Sequence, residues 1–551
     1  MTFAPDSVIH ICCVNFDNTY NHVINFRQPE LIEDGYASYS DAQYNYFATR
    51  KVKTFYECTI VRGHSPDELS IKVEENIDNL RHAGANYMMY QNRNLTLGSS
   101  PNTNPSLRWY YAFITKMEYV SEGVTRLFIE QDIFQTWHLD AHFLPSFVER
   151  EHSVTDFVGE NIIPEPFNFQ DFIYEPIGHD KLDNALSNVG YLIGSSESLN
   201  DESVSKGVMA GIFQGVFFYF FDKASNVATF INNITTKSGG DCILFITMIP
   251  DFCVNKGNEE NNYQCLSSDK PERMNIVLNF NHNNTGLDNW YPVKNNKLFT
   301  APFFQLYVTN HSGTECTYNV EDFDSDADPE YYHNNDKEIV FELYGDVSAN
   351  PSVTLIPLDY KNNAFNYDEG ITISNFPQCS YSTDTYKLWL AKNQYTVASN
   401  VASSVVGGIA SVLTLNGEGI YNSIQNAVNT ANSVYQASMT PNEGHLGNAN
   451  NNLLTAIRYN KFEFFWKKIK MEYQKVVDDF FTMYGYQTNQ VKEPNLNSRP
   501  YFNYVKTIGL NIRGSFPTDQ QNKFKQIFDK GVTLWKPWAD MCDYSQDNRP
   551  T

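Results

Sequence analysis

Positive charge is scarce in this sequence. Its 551 residues include 40 lysines and arginines against 64 aspartates and glutamates, which gives a formal net charge of −24 at pH 7. Affinity for nucleic acid depends on neutralising phosphates with lysine and arginine, so this balance disfavours a protein that holds DNA or RNA. An acidic wall instead repels DNA and lets it slide past, although acidity also serves solubility alone.

Cysteine is sparse and irregularly placed. The nine cysteines are Cys12, Cys13, Cys58, Cys242, Cys253, Cys265, Cys316, Cys379 and Cys542. None forms a CxxC motif, and none stands with histidine at the spacing of a zinc finger. The thiols are therefore predicted to be reduced residues of the core, in a protein made in a cytoplasm.

Motifs of the common enzyme and metal sites are also missing. The sequence contains no GxSxG, HExxH, P-loop or GxGxxG motif. His138 and His142 are four residues apart, but no metalloprotease glutamate lies between them. Aspartates alternate along 322–328, where Ala327 replaces the glycine that a calcium loop requires. We expect no catalytic residues, no cofactor and no bound metal.

Targeting and membrane signals are weak. The first 20 residues lack a basic region followed by a long apolar stretch, so we expect no signal peptide. No run of about 18 strongly apolar residues occurs, and this argues against an ordinary membrane span.

Aromatic residues are plentiful where charge is not. They make up 15% of the chain and charged residues only 19%, which favours β-structure because aromatic side chains fit pleated surfaces. Apolar and polar residues alternate in Arg273–Phe280, in 337–344 and from Phe304 to Val308. This period of two indicates half-buried antiparallel strands. We predict a mainly β, multi-domain protein with a few helices.

Three segments have the features of helices. A start signal predicts a helix over 65–81. Apolar residues recur at helical spacing over 462–484, and Gly485 follows as a stop. A shorter helix is predicted over 517–530, with Gly531 as its cap.

The most unusual stretch has almost no charge. Between Lys392 and Glu443 the only charged residue is Glu418. A predicted turn at 416–419 separates two stretches, 397–415 and 420–439, each near the roughly 20-residue length of a bilayer-spanning helix. The apolar and glycine residues that mark this segment are Val397, Val401, Val405, Val406, Gly407, Gly408, Ile409, Val412, Leu413, Leu415, Ile420, Ile424, Val428 and Val434.

The composition of this segment allows three interpretations. Small residues four apart, such as Ser399, Ser403 and Gly407, let helices approach closely in lipid. Asparagine and glutamine form a polar stripe along the second stretch. The segment is a flexible loop rich in small residues, a helical hairpin buried in an oligomer, or a region that inserts into a membrane.

Ordered strings of residues lie near both ends of the chain. They are DIFQTW at 132–137, FVEREH at 147–152, YGY at 484–486, VKEPNLNSRPYFNYVKT at 491–507 and FDKGVTLW at 528–535. In order and spacing they resemble the tail knob family of small short-tailed phages that infect Gram-positive bacteria. The resemblance is clear over roughly the first 150 and last 90 residues.

This resemblance implies a fold and a function. It implies a β-barrel tube domain formed by both chain ends, with β-rich inserted domains and six copies in a ring around a channel. The protein would lie in the virion, at the distal end of the tail, and would be assembled in the bacterial cytoplasm. Its partners would be its own copies, other tail proteins, and phage DNA that passes without sequence-specific binding. The uncharged segment would plug the channel and enter the host membrane on ejection.

The resemblance also implies where the chain divides. We expect an N-terminal part of the tube domain over 1–154, inserted knob domains over 155–380, the uncharged loop over 381–455 and the C-terminal part of the tube over 456–551.

Rival functions come from other classes. A host-surface adhesin of the same virion would carry a pocket in 155–380, with Tyr331, Tyr332 and Tyr344 as candidate contacts. A cell-wall hydrolase is a third hypothesis. A secreted pore-forming toxin is a fourth, which the missing signal peptide and the scattered thiols disfavour.

Overall fold

The structure of the protein is a computed structural model. It describes residues 7–62, 69–92, 108–179, 182, 185–186, 188–197, 208–209, 212–213, 216–238, 242–254, 264–265, 273–280, 292–311, 313–323, 337–348, 350–363, 367–374, 376, 378–380 and 461–550. The chain divides into two compact units. The first unit comprises Met1–Phe167, Trp290–Leu298 and Met471–Thr551, and the second comprises Asn168–Asn289 and Phe299–Lys470.

Strands dominate both units. The strands before residue 152 are β1 (Ser7–Cys12), β2 (His22–Ile24), β3 (Lys51–Tyr56), β4 (Ile60–Arg62), β5 (Leu69–Val73), β6 (Tyr87–Asn92), β7 (Tyr110–Ser121), β8 (Val124–Gln131), β9 (His142–Phe143) and β10 (Ser146–Glu151). The middle of the chain contributes β11 (Phe172–Ile177), β12 (Val189–Ser195), β13 (Val208–Met209), β14 (Ile212–Phe213), β15 (Phe217–Phe221), β16 (Ile243–Pro250), β17 (Gln264–Cys265), β18 (Arg273–Phe280), β19 (Phe304–Thr309), β20 (Glu315–Tyr318), β21 (Lys337–Asp346), β22 (Ser352–Pro357), β23 (Ile371–Ile373) and β24 (Gln378–Ser380). The last strands are β25 (Glu463–Ile469), β26 (Tyr486–Lys492), β27 (Phe502–Ile508), β28 (Ile512–Arg513) and β29 (Val532–Trp535).

Helices are fewer than strands in the described part of the chain. The α-helices are α1 (Pro29–Glu33), α2 (Tyr39–Thr49), α3 (Ile77–His82), α4 (Ile133–Trp137), α5 (Ala224–Ser238), α6 (Met471–Tyr484) and α7 (Thr518–Lys530). Short 3₁₀ turns occupy Asp251–Cys253, Asn296–Phe299, Val320–Asp322 and Tyr367–Glu369. Among the described residues, no helix has both the length and the apolar character needed to span a bilayer.

The first unit is built from two large sheets. The seven-stranded sheet has the order β3-β1-β6-β7-β8-β5-β4, and the five-stranded sheet has the order β2-β29-β27-β10-β26. Its separate apolar clusters are centred on Ile9 and Leu127, on Phe47 and Tyr87, and on Phe134 with the buried face of α7. The second sheet draws strands from both ends of the chain.

The second unit contains three sheets of four or five strands. Their orders are β11-β25-β19-β20, β17-β15-β12-β16-β24 and β18-β21-β22-β23. The alternation predicted for Arg273–Phe280 is present, because Ile276, Leu278 and Phe280 are buried on one face. This strand pairs along its whole length with β21. The prediction of a mainly β, multi-sheet fold with few helices is confirmed.

Two helix predictions need correction. The helix expected over 65–81 is instead strand β5 followed by α3, because Leu69, Ile71 and Val73 follow a strand period that pairs with β8. The helix expected over 462–484 begins only at Met471, and the preceding residues form β25. The remaining C-terminal prediction holds, since α7 ends at Lys530 and Gly531 follows with φ of 96°.

The predicted domain boundaries differ in detail from the two compact units. Residues 290–298 belong to the first unit, and β25 belongs to the second. The division at 154, 380 and 455 stays a prediction. The segment 397–439, with every residue singled out in it, lies outside the residues that the structure describes.

Candidate functional site: the sheet shared by both chain ends

The five-stranded sheet joins the strings that carry the family resemblance. Strand β10 contains FVERE and lies between β26 and β27. Strand β26 begins at the last residue of YGY, and β27 contains the residues YVKT. Strand β29 pairs with β27 in antiparallel and with β2 in parallel orientation. Residues more than 300 positions apart in sequence therefore occupy neighbouring strands of one sheet.

Buried and outward-facing side chains alternate along β27, which is the middle strand of this sheet. Val505 and Thr507 are buried on one face, whereas Tyr504, Lys506 and Ile508 face outward. A bulge in β10 between Val148 and Arg150 shifts the register against both neighbours. Bulges of this kind re-aim side chains, and here Arg150 reaches Phe480 of α6, with its guanidinium 4.9 Å from the ring centroid.

His152 connects the end of β10 to the C-terminal strands. Its Nδ1 accepts a hydrogen bond from the Tyr504 N–H at 2.7 Å, and its Nε2 lies 3.0 Å from the carbonyl oxygen of Thr482. These partners assign the proton to Nε2 in a neutral ring. Burial lowers the pKa of His152 to about 3, so the imidazole serves as a fixed hydrogen-bonding bridge.

Gly485 lets the chain turn from α6 into β26. Its φ is +65°, and a Cβ at this position would lie 2.3 Å from the carbonyl oxygen of Glu151. Its N–H donates to the carbonyl of Phe481 at 2.8 Å, which closes the last turn of the helix. Only glycine satisfies both the backbone angle and the close approach.

A buried polar cluster lies beside this turn. Asp156 accepts hydrogen bonds from the Tyr486 hydroxyl at 2.6 Å and from the Asn296 N–H at 3.0 Å. Asn295 donates through its side chain to Asp478 at 2.8 Å. Burial raises the pKa of Asp156, of Asp478 and of the Tyr486 hydroxyl. The cluster fixes the 290–298 segment to the C-terminal part of the same unit.

Glu165 is the centre of a buried ion-pair arrangement. Its carboxylate pairs with Arg150 and with Lys297, whose Nζ lies 3.0 Å from Oε1. The Lys297 Nζ also donates to the Ile163 carbonyl at 2.7 Å. Burial lowers the pKa of Lys297 while Glu165 opposes that effect. Because removal of one partner would leave a buried charge uncompensated, this arrangement constrains the fold.

The DIFQTW string forms α4 and its cap. Asp132 is buried and accepts a hydrogen bond from the Gln135 N–H at 3.0 Å and from the Tyr87 hydroxyl at 2.8 Å. Gln135 donates to the carbonyl of Ile24 at 2.9 Å, and Trp137 packs in a stacked arrangement against Phe516. The string therefore connects the two sheets of the first unit, and its residues have structural contacts.

An exposed apolar row crosses three strands of the shared sheet. Phe147 pairs with Val491 of β26 and with Ile508 of β27, and directly paired side chains lie on the same face. Their exposed fractions are 37%, 71% and 57%. Scattered apolar residues on a surface are ordinary, but a contiguous row is typical of a contact surface.

Several residues singled out from the sequence have structural roles or lie outside the described part of the chain. His138 is buried and its ring contacts the Phe26 N–H and the Phe134 carbonyl, whereas His142 is exposed. Within the described ranges, no group of three or more histidine, cysteine or acidic residues could hold a metal ion. Tyr344 packs under Arg273, at 5.3 Å from its ring centroid. Tyr331, Tyr332 and residues 324–328 are not among the described residues.

The cysteine prediction is correct only in part. Cys12, Cys242 and Cys253 are buried. Burial raises the pKa of Cys12 to about 12. Cys13 and Cys542 are exposed rather than in the core. Cys12 is the last residue of β1 and is buried, whereas the adjacent Cys13 follows the strand and is exposed.

Comparison with known proteins identifies the family. The model of the C-terminal domain of tail knob protein gp9 from Bacillus phage phi29 matches residues 268–549, just over half of the chain. The model of the N-terminus of the caudoviral major tail protein matches residues 7–142.

Individual relatives agree with these matches. The tail knob protein gp9 of Bacillus phage B103 is 26% identical and that of phi29 is 25% identical, each over 92% of this chain and 94% of the relative. The solved structure of the tail knob protein gp12 of bacteriophage C1 superposes with a TM-score of 0.62 over 98% of this chain and 99% of that chain, at 15% identity.

These likenesses define the chain as a structural protein of a phage tail. It belongs to the tail knob protein family represented by gp9 of phi29.

Proposed function

We propose that six copies of this chain form a ring around a channel at the distal end of a short phage tail, through which DNA leaves the virion. The proposal is carried by the family membership, which spans the described N-terminal and C-terminal sheets and most of the chain. The copies would associate with other tail proteins after synthesis in the bacterial cytoplasm. The relatives are named for a structural component, which favours a role without catalysis.

The charge of the chain supports a conduit. A net charge of −24 per copy repels a polyanion, so DNA would pass along an acidic channel without the phosphate contacts that slow it. The same charge opposes association of the copies, and apolar contact area is needed to offset it. In the proposed ring a neighbouring copy covers the row formed by Phe147, Val491 and Ile508, which water would otherwise contact.

The uncharged segment 397–439 is proposed to plug the channel and to enter the host membrane on ejection. Two features support this proposal. Only one charged residue lies between Lys392 and Glu443, and the stretches 397–415 and 420–439 are each near the length of a bilayer-spanning helix. Small residues at four-residue spacing suit close helix packing in lipid. In the virion the same surface would be shielded by the copies that surround the channel.

Liposome leakage tests the membrane role. A peptide of residues 397–439 is expected to release a trapped dye, because its apolar stretches lower their free energy in the bilayer. The matched control carries Val405→Asp and Val412→Asp, since a charge at the centre of a span costs about 2.5–3.5 kcal/mol. Equal leakage by both peptides, or none from either across anionic and neutral vesicles at pH 5 to 8, would contradict membrane insertion.

A further inference from the structure

One face of the sheet β11-β25-β19-β20 in the second unit carries aromatic rings beside polar groups. The register pairs Tyr174 of β11 with Lys467 of β25, and Phe465 of β25 with Tyr307 of β19. Directly paired side chains lie on the same face, and every second residue along a strand returns to that face. Tyr174 is 48% exposed, and the other three residues are half-buried. These four side chains therefore share one surface, the aromatic face.

The rings on the aromatic face form a connected group. The Tyr307 ring lies between its neighbours, with its centroid 5.0 Å from that of Tyr174 and 6.0 Å from that of Phe465. The planes of Tyr174 and Tyr307 meet at 70°, which makes a corner with two ring faces at different angles. Aromatic pairs of this kind also stabilise a sheet, by roughly 0.2–1 kcal/mol each, so the rings alone do not indicate a ligand.

Polar groups beside the rings are held in fixed orientations. Gln305 pairs with Lys467 in the sheet, and the Lys467 Nζ donates to the Gln305 Oε1 at 3.1 Å. The Gln305 Nε2 donates in turn to the Asn319 Oδ1 at 2.8 Å, and the Tyr307 hydroxyl donates to Glu315. An ammonium group has three donors, so Lys467 keeps donors for a ligand after it bonds to Gln305.

The outward side chains distinguish this face from a protein contact surface. Beside the rings, the outward positions of β19, β20 and β25 carry Gln305, Thr309, Glu315, Thr317, Glu463 and Lys467. No valine, leucine, isoleucine or methionine occupies the non-buried outward positions of these three strands, whereas the exposed row on the shared sheet contains Val491 and Ile508. Aromatic rings with hydroxyl, amide and charged groups suit a ligand that has apolar faces and many hydroxyl groups.

Charge on and around the aromatic face is balanced. The ion pairs are Glu463 with Lys461 and His311, and Lys470 with Asp171 at the end of β25. Lys467 and Glu315 carry the remaining charges of the outward positions, and they attract each other. Neither sign is in excess here, and the chain as a whole is acidic. A neutral ligand is therefore favoured over a nucleotide or another polyanion.

We propose that the aromatic face binds a neutral oligosaccharide of the bacterial surface, built from six-membered sugar rings. The C–H groups of such a sugar have positive character and stack on the negative ring faces of Tyr174 and Tyr307. Its hydroxyl groups bond to Lys467 and Glu315 beside those rings. The distances between ring centroids are comparable with the length of one sugar unit, so a short chain of sugars contacts more than one ring. Binding requires neither the ring of copies nor the uncharged segment, and it gives the tail a weak, reversible hold on the host.

Calorimetric titration of the full chain with tetrasaccharides tests this site. The neutral probes are the β-1,4-linked tetramers of glucose, N-acetylglucosamine and mannose, and tetragalacturonate is the anionic control. At least one neutral probe is expected to bind with a dissociation constant of about 0.1–1 mM, and tetragalacturonate about tenfold more weakly or not at all. Absence of binding by all three neutral probes at several millimolar would overturn the proposal, and so would equal affinity for the anionic control.

Single substitutions locate the binding on the aromatic face. Tyr174→Ala is expected to weaken sugar binding about threefold to tenfold, whereas Tyr174→Phe keeps the ring and most of the affinity. If Tyr174→Ala does not fold, Thr317→Arg keeps the test valid, because Thr317 is exposed and pairs with Tyr307, so the long side chain covers that ring and abolishes binding. Tyr119→Ala in the first unit removes a tyrosine that is 59% exposed. It is the matched control and should bind sugar like the unchanged chain.

Two further measurements distinguish a sugar from other occupants of this face. Binding of a proline-rich peptide in place of every sugar would identify a peptide site, since aromatic surfaces also accept extended proline-rich segments. A lower particle mass for Tyr174→Ala would identify a contact between copies. Either result would overturn the proposal, whereas a monomer that binds sugar would support it and contradict only the ring.

Discussion

Asp132 holds the beginning of α4 from inside the protein. Burial raises the pKa of its carboxyl from the ordinary value of 3.8 to about 7, although the Gln135 N–H and the Tyr87 hydroxyl favour the ionised form. A folded-state pKa above the unfolded value means that the group's contribution to stability is complete below about pH 4 and is lost as pH rises through 7. The DIFQTW string therefore contains a pH-dependent position that its spacing alone did not indicate.

The variant Asp132→Asn tests this at the residue scale. Asparagine keeps the capping oxygen but does not titrate. As pH rises from 4 to 8, the unchanged chain is expected to lose up to about 4 kcal/mol of unfolding free energy relative to the variant. Urea unfolding at several pH values measures the difference, and a difference that is constant across this range would contradict the raised pKa.

At the scale of elements, the turn from α6 to β26 depends on Gly485. The residue combines a left-handed backbone angle with a contact to β10 that leaves no room for a side chain. This explains why the helix ends at Tyr484 and why the next strand enters the shared sheet in register with Glu151.

A pair of alanine substitutions separates the two causes. Gly485→Ala is expected to lower the free energy of unfolding by more than about 2 kcal/mol, because backbone strain and steric overlap add. Gly509→Ala is the matched control: its φ is +66°, but an added Cβ would have nothing within 4 Å. That control should cost about 1 kcal/mol. Equal losses in the two variants, measured by denaturant unfolding, would show that contact with Glu151 is unimportant.

The sequence predicted strands more reliably than helix boundaries. The alternation in Arg273–Phe280 identified β18 because one face is buried and its partner face is polar. The helical spacing in 462–484 merged two elements, since Phe462, Phe464 and Trp466 alternate as a strand before α6 begins. Tyr473 and Val476 belong to the helical spacing of this segment, but they are 40% and 67% exposed. Side chains that match a helical period do not reveal which face the partner covers.

The long-range contacts could not be predicted from the sequence. The strings at 132–137, 484–486 and 491–507 indicated structural importance through their resemblance to a family. The polar contacts that they make, such as Asp156 with Tyr486 and His152 with Tyr504, require pairings between residues hundreds of positions apart. No local pattern encodes those pairings.

At the scale of the whole molecule, we predict that the uncharged segment 397–439 lies between domains. Deletion of these residues is therefore expected to leave both units folded and the number of copies in each particle unchanged. Circular dichroism and light scattering of the deletion variant check this, and insoluble or dissociated protein would contradict it.

The mass of the purified full-length protein, measured by light scattering with negative-stain imaging of the same sample, tests the central claim most directly. The ring account predicts a particle of six times the 63.2 kDa chain mass, with a central hole. Val491→Lys together with Ile508→Lys should lower that mass while preserving the unfolding transition, because both side chains lie in the exposed apolar row. A compact 63.2 kDa particle at every concentration, with no rings in the images, would contradict the account and favour the host-surface adhesin.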